Sequence, residues 1–209
     1  LLLHAAARLT GEWHLTVVGK GDDMQYCSWL ARRLNLEKRV TFTGYTGQPE
    51  KYYEKAAVAV FPSRWQEPFG MTGPEAMAHG VPVAGFLTGG VGEWLKNGHN
   101  GFAVPSGDIS ALAGAIRRLL DHPAEAEAYG ANAFQDMKQY TPETFSGKLI
   151  SLMDAGGRLN STQGYKEGIL AREALGSTAI GEGIAIPHAK VEAVKEPGLA
   201  AMVVPEGVD

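Results

Sequence analysis

The sequence predicts an α/β fold built on a doubly wound parallel sheet, on three observations. Short β-rich runs alternate with helical patterns from Leu15 onward, the order expected when parallel strands are joined by crossover helices. The runs are nearly continuous in apolar residues, which suits strands covered on both faces. Glycine is abundant, 27 of 209 residues against ~7% on average, as tight turns and close backbone approaches require.

Leu1 to Leu9 reads as the second half of a helix, with Leu2, Leu3, Ala6 and Leu9 on one stripe, as if sequence upstream had been cut away. Leu15 to Gly19 is a strand ending in glycine, and Gly19-Lys20-Gly21 is its turn. Asp22 is placed to cap a helix through Leu34, with Trp29, Leu30 and Leu34 spaced for burial. Val40 to Gly44 is the second strand, followed by a helix from Pro49 to Ala57 with proline in its first turn. Val58 to Phe61, Pro82 to Phe86 and Gly101 to Val104 are the third, fourth and fifth strands. Asp108 caps a helix from Ile109 to Leu120, and a further helical pattern starts at Pro123. In such a sheet ligands sit beyond the carboxyl ends of the strands, so the strand-to-helix loops carry the candidate site.

The texture changes after Thr141. Residues 154–164 form a glycine and polar cluster, a linker or domain edge, which places the boundary between Gly147 and Gly156. The division is 1–148 and 149–209, the helix after Pro142 fitting either unit. The tail holds one helical pattern, Tyr165 to Leu175, a glycine-bounded segment ending at His188, and the apolar run Leu199 to Val204. That is too thin a core to be more than marginal alone, so the second unit reads as incomplete.

Composition excludes several classes. The net charge of −4 argues against a nucleic-acid binder or a polybasic membrane anchor. No apolar stretch approaches the ~20 residues of a membrane span, and the Leu1–Leu3 run lacks the features of a signal peptide. A single cysteine, Cys27, excludes an intramolecular disulfide and fits a reducing, cytoplasmic compartment. The six histidines are scattered without metal-ligand spacing, so no metal is expected.

The informative stretch runs from Pro62 to Val83, after the third strand. Glu67 lies in its loop and Glu75, eight positions on, lies on the following helix. A glycine-rich helix start offers free backbone N–H groups and a positive dipole end to phosphate. The carboxylates would repel phosphate, so their fitting role is to accept hydrogen bonds from sugar hydroxyls on either side of it. That describes a nucleotide-sugar site. From the residues alone, Thr72-x-x-Glu75 reads equally as a capping box, and Glu67 equally as a solvated loop carboxylate. Arg64 fits a donor contact or a solvated side chain, Gly89-Gly90 a close backbone approach or a plain turn, and His79 a cap at a helix end.

The segment Pro62-Ser63, Glu67-Pro68-Phe69-Gly70, Glu75-Ala76-Met77-Ala78-x-Gly80-x-Pro82-Val83 resembles the signature of retaining glycosyltransferases of the family-4 type, with GT-B fold. Val17-Val18-Gly19-Lys20-Gly21, Val40-x-Phe42-x-Gly44, Gly89-Gly90-Val91-Gly92-Glu93 and Asn97-Gly98-x-x-Gly101 extend the likeness in the family's order to about residue 145. The resemblance implies a Rossmann-like, donor-binding half of a GT-B enzyme. It implies that Glu67 meets the donor sugar in the catalytic position and Glu75 the ribose. Backbone N–H groups near Phe69, Gly70 and Met71 would hold the distal phosphate, the loop with Tyr45 would lie near the base, and the Gly19 turn would border the nucleotide. The nucleotide-sugar donor is then a substrate, and no further cofactor is implied. The family's donor-phosphate Arg and Lys, and its amino-terminal acceptor domain, would fall upstream of Leu1, so this chain alone is expected not to catalyse transfer.

Residues 163–190 resemble a second family, the IIA domain of the fructose/mannitol-type phosphotransferase system. The likeness rests on Gly164-Tyr165, Arg172-Glu173-x-x-Gly176-Ser177-Thr178-Ala179-Ile180-Gly181-x-Gly183-Ile184-Ala185-Ile186-Pro187-His188-x-Lys190 and Gly207-Val208-Asp209. It implies that His188 accepts a phosphoryl group from a phosphocarrier protein, with Arg172 helping to neutralise it. Neutral imidazole is a competent nucleophile for that step. Three readings follow: a donor-binding glycosyltransferase domain with an attached phosphocarrier segment, a phosphoryl-transfer protein acting through His188, or an inactive chimera. Apolar surface left uncovered in two partial domains also predicts self-association.

Overall fold

The structure is a computed structural model that describes residues 1–140, 142–174, 179–181, 184–185 and 191–196. The chain forms two compact units, Leu1–Met137 and Lys138–Asp209.

The first unit is α/β with parallel strands. Its elements are α1 (Leu2–Ala6), β1 (Leu15–Val18), α2 (Met24–Arg33), β2 (Val40–Gly44), α3 (Glu50–Tyr53), β3 (Ala59–Phe61), α4 (Thr72–Ala78), β4 (Val83–Leu87), α5 (Val91–Trp94), β5 (Gly101–Pro105), α6 (Ile109–Asp121) and α7 (Pro123–Met137). The strands form two parallel ladders, β1–β2 and β3–β4–β5.

Burial sorts the strands. Val83 to Phe86 of β4 are buried without interruption, because β4 lies between two neighbours and under α4, α5 and α6. Phe86 and Ala84 pack with Leu112, Ile116 and Leu119 of α6, while Val83 packs with Met77 of α4 and Trp94 of α5. The uniform burial expected of every strand does not hold in β1, where Leu15 and Val17 are half-buried but Thr16 and Val18 are exposed. One face of β1 is covered, by Leu3 and Ala6 of α1 and Leu30 and Leu34 near α2. The other is open.

Three local expectations are corrected. Helix α2 starts at Met24, not at a cap on Asp22; its N-cap is Asp23, whose ψ of 1° is far from the extended conformation from which a side chain reaches back to the first-turn amides. Asp108, with ψ of 92°, has that conformation, and its carboxylate accepts from the Ala111 N–H at 2.9 Å. Trp29 is 53% exposed, because Cys27, Leu30, Ala31 and Leu34 take the inner face of α2; its ring lies outside, stacked on Tyr26 with Arg33 close by. The helix after Pro49 is a single turn, since the N–H groups of Lys55 and Ala56 bond three residues back and tighten the chain toward β3.

In the second unit, α8 (Pro142–Ala155) follows a 3₁₀ turn at Lys138–Tyr140, and α9 (Thr162–Ala174) packs against it through Ile150, Met153, Tyr165 and Ile169. Leu159, Val191, Ala193 and Val194 border this small core. A short antiparallel pair, β6 (Ala179–Gly181) and β7 (Ile184–Ala185), completes the described elements. The run 199–204, His188, Lys190 and Gly207 lie outside the described residues.

Candidate functional site

The loop from Pro62 to Met71 leaves the carboxyl end of β3 and is clamped from several sides. The Ser63 hydroxyl donates to Glu67 Oε1 at 2.8 Å, and the same hydroxyl oxygen accepts from the Trp65 N–H. The Gly90 N–H donates to the Glu67 carbonyl at 2.8 Å, and the Gly89 N–H to Gln66 Oε1 at 3.1 Å. Gly89 has φ of +49°, and a Cβ there would lie 2.2 Å from the Glu67 carbonyl oxygen. The turn after β4 therefore presses on the Glu67 backbone with no room for a side chain. Farther along, the Trp94 indole donates to the Phe69 carbonyl. Gly70, at φ of +79°, passes so close to the Phe61 ring that a Cβ would sit 2.6 Å from it.

Helix α4 carries Glu75. Its N-cap is Met71 in helical conformation, with no side-chain cap bond, so Thr72 is already helical and the capping box is not formed. The Glu75 carboxylate instead accepts from the Tyr53 hydroxyl at 3.2 Å. Burial, followed by the charge and the hydrogen bond of Glu75, pushes the Tyr53 phenol up to about 12. The Tyr53 ring packs against His79, whose Nδ1 lies 2.9 Å from the Glu75 carbonyl oxygen. A carbonyl only accepts, so Nδ1 carries a proton and His79 closes the end of α4. Ser63 thus holds one oxygen of Glu67 and Tyr53 one oxygen of Glu75; among the described residues no partner is recorded for the other oxygen of either.

Met71 and Tyr45 are exposed, at 60% and 72%, and Phe69 and Gly70 are half-buried. Gly19 and Tyr45 follow the carboxyl ends of β1 and β2. The Gly19 N–H donates to the Gly44 carbonyl at 2.9 Å, which ties the two turns together, and the Lys20 ammonium lies 5.4 Å from the Tyr45 ring centre. The expected site residues therefore fall in two groups: Gly19 with Tyr45 on one ladder, and Glu67, Phe69, Gly70, Met71 and Glu75 on the other. Arg64 is exposed, and His188 lies outside the described residues. Sequence reasoning missed Tyr53, whose only signal was membership of a short polar helix that ends near β3. Among the described residues no cluster of three potential metal ligands occurs, and no helix is long and apolar enough to cross a membrane.

The chain is similar to known proteins along most of its length. Residues 1–136 match the family "Glycosyl transferases group 1", and residues 147–209 match "Phosphoenolpyruvate-dependent sugar phosphotransferase system, EIIA 2". The glycogen synthase of Mycobacterium tuberculosis is 35% identical over 115 residues, 54% of this chain and 28% of that protein. The fructose-specific EIIABC component of the Bacillus subtilis phosphotransferase system is 48% identical over 67 residues, 32% of this chain and 11% of that protein. The chain thus spans only a minor part of either relative. A crystal structure of Anabaena HepE in complex with UDP and glucose superposes with a TM-score of 0.62 at 28% identity, covering 66% of this chain and 39% of that one. The model match over residues 1–136, joined to the parallel fold and the clamped Glu67–Glu75 segment, makes this chain a member of the glycosyl transferases group 1 family.

Proposed function

We propose that the first unit binds the nucleoside diphosphate sugar of a retaining glycosyl transfer. The observation that carries this reading is the holding of two carboxylates, Glu67 by Ser63 and Glu75 by Tyr53, on either side of a glycine-rich turn at a strand's carboxyl end. In this reading Glu75 accepts from the ribose hydroxyls and Glu67 from the sugar. The amides around Phe69, Gly70 and Met71 face the distal phosphate, and Tyr45 and the Gly19 turn border the nucleoside. The absence of the capping box supports it, because Glu75 is not spent on its own helix. The UDP in the HepE complex supports a uridine nucleotide as the first ligand to try. The reading includes a cytoplasmic setting.

Calorimetric titration of the 209-residue chain with UDP, GDP and ADP and their sugars tests it. Saturable binding that is lost in Glu75→Ala is the expected result; no binding of any of the six sinks the reading. The chain alone is expected to bind without transferring sugar.

The likeness of residues 147–209 to EIIA 2 favours a second reading for the second unit, phosphorylation of His188 by a phosphohistidine carrier protein. Transfer of labelled phosphate to the chain, abolished in His188→Ala, is its expected result. An unlabelled chain counts against it.

A further inference from the structure

We propose that the outer face of α2 is a self-complementary contact through which two copies of this chain pair, their α2 helices antiparallel across a two-fold axis. At about 100° per residue, the helix puts Cys27, Leu30, Ala31 and Leu34 on one side, where they pack with Leu3, Ala6 and Val40. The opposite side carries Tyr26, Trp29 and Arg33. Asp22 continues that side into the turn before the helix, where the Met24 N–H donates to the Gly21 carbonyl. Asp22, Tyr26, Trp29 and Arg33 follow one another at intervals of four, three and four, the spacing of a coiled-coil seam, and all four are exposed.

Along the helix the stripe runs acid, aromatic, aromatic, base, and it is its own complement when reversed. In a two-fold contact the same patch serves both copies, so each match between two residues occurs twice. With the axis midway between Cys27 and Ser28, Asp22 lies opposite the partner's Arg33 and Tyr26 opposite the partner's Trp29. Helices packed about 8–10 Å apart let the aromatic rings fill the middle of the seam and the carboxylate and guanidinium meet at its ends. A parallel pair would set Asp22 on Asp22 and Arg33 on Arg33, so the charges that favour the antiparallel pair oppose the parallel one.

The groups on this face are not spent within the chain. Asp23, the N-cap, makes no side-chain cap bond, and among the described residues none of Asp22, Asp23, Arg32 and Arg33 forms an ion pair. Tyr26 and Trp29 are 58% and 53% exposed, with ring centres 5.8 Å apart, and the Arg33 guanidinium lies 5.9 Å from the Trp29 ring centre. That stack holds the rings in place before a partner arrives, which reduces the side-chain entropy lost on contact. Tyr, Trp and Arg are also the residue types that dominate binding at protein interfaces. The helix dipole accounts for an acid at the start of α2 and bases at its end, but not for two uncovered aromatics between them. A bilayer or a polyanion fits less well than a second copy, because Asp22 and Asp23 balance Arg32 and Arg33 and leave the face no excess positive charge. One helix face buries less than the ~800 Å² a side of a standard interface, so the dimer is weak and depends on concentration. The pairing stands independently of which nucleotide the chain binds.

Sedimentation equilibrium of the 209-residue chain from ~5 µM to ~500 µM, a range suited to a transient contact, tests the pairing. The chain should pass from monomer to a monomer–dimer mixture, and the NMR shifts that change on dilution should centre on Asp22, Tyr26, Trp29 and Arg33. Asp22→Arg and Arg33→Asp should each lower the association constant about tenfold or more, because each sets like charges together at both ends of the seam. Mixed in equal amounts, the two variants should associate again to within about threefold of the parent chain, since both ends then carry opposite charges. Trp29→Ala, which leaves the charges alone, should weaken the dimer by a similar factor. If a charge variant loses the circular dichroism of the parent, the dilution shifts and Trp29→Ala decide. A chain monomeric at ~500 µM, a dimer indifferent to these substitutions, or two folded charge variants that stay apart when mixed would overturn the proposal.

Discussion

Replacing Tyr53 with Phe removes one hydroxyl and keeps the ring against His79, so it isolates the bond that holds Glu75. The hydroxyl donates to Glu75 Oε2 at 3.2 Å. A hydrogen bond to a charged group contributes ~1.5–3 kcal/mol. The length of this one and the half-exposure of the phenol place it at about 1.5 kcal/mol, which is a factor of ~10 in affinity. Tyr53→Phe should therefore weaken UDP binding about tenfold by calorimetry. The loss should vanish with 2′,3′-dideoxy-UDP, because in the proposed reading Tyr53 acts only through Glu75 and Glu75 accepts from the ribose hydroxyls. Equal losses for both ligands, or none for either, would refute the reasoning.

Burial of the Tyr53 phenol, with the charge and hydrogen bond of Glu75 beside it, predicts an alkaline limit. The phenol sits at about 12 in the folded chain, against ~10 unfolded, so the native state favours the protonated form. Its contribution is fully present below pH ~10 and is lost as pH rises from ~10 to ~12. Solvent screening of the half-exposed ring reduces it to about 1 kcal/mol. Urea denaturation at pH 9 and 11.5 should show that decline in the parent chain, and a shallower one in Tyr53→Phe.

Other substitutions separate the site from its frame. Gly89→Ala puts a methyl 2.2 Å from the Glu67 carbonyl oxygen at φ of +49°, so it should lower UDP affinity at least tenfold; unchanged titration would mean that the turn does not set the loop. Asp108→Ala loses the cap on Ala111 and should cost about 1 kcal/mol, or ~2–4 °C in Tm, with UDP binding untouched. Asn100 is buried and bonds the Trp94 carbonyl, the Asp136 carboxylate and the Lys96 N–H. Asn100→Ala leaves these groups unsatisfied and should cost about 3 kcal/mol, read as a Tm loss of ~6–12 °C.

The alternation of short apolar runs with helical spacing located all five strands of the first unit and the helices from Ile109 and Pro123, although in β1 the apolar run overstated burial, since Val18 is exposed. The Glu67–Glu75 spacing and the glycines around it were equally legible, since a strand end followed by a glycine-rich helix start is a local pattern. Local signals misled where two neighbouring residues compete for one role. Asp22 and Asp23 look alike in sequence, and backbone angles alone decide whether a carboxylate can cap. Trp29 looks like a core residue until the inner face of α2 is filled by others.

Composition and order along the chain determined by themselves that this is a parallel α/β protein with a glutamate pair beyond a strand. Tertiary structure alone decided which groups hold those glutamates, Ser63 from within the loop and Tyr53 from a helix more than twenty residues upstream. It alone revealed that one helix, α1, packs in two cores, Ala5 with Val60 of β3 and Leu3 and Ala6 with Leu15 and Val17 of β1. The physical reason is common to both: hydrogen-bond partners and strand neighbours are chosen by proximity in space, which depends on how distant segments pack, whereas period and capping pattern are properties of residues a few positions apart.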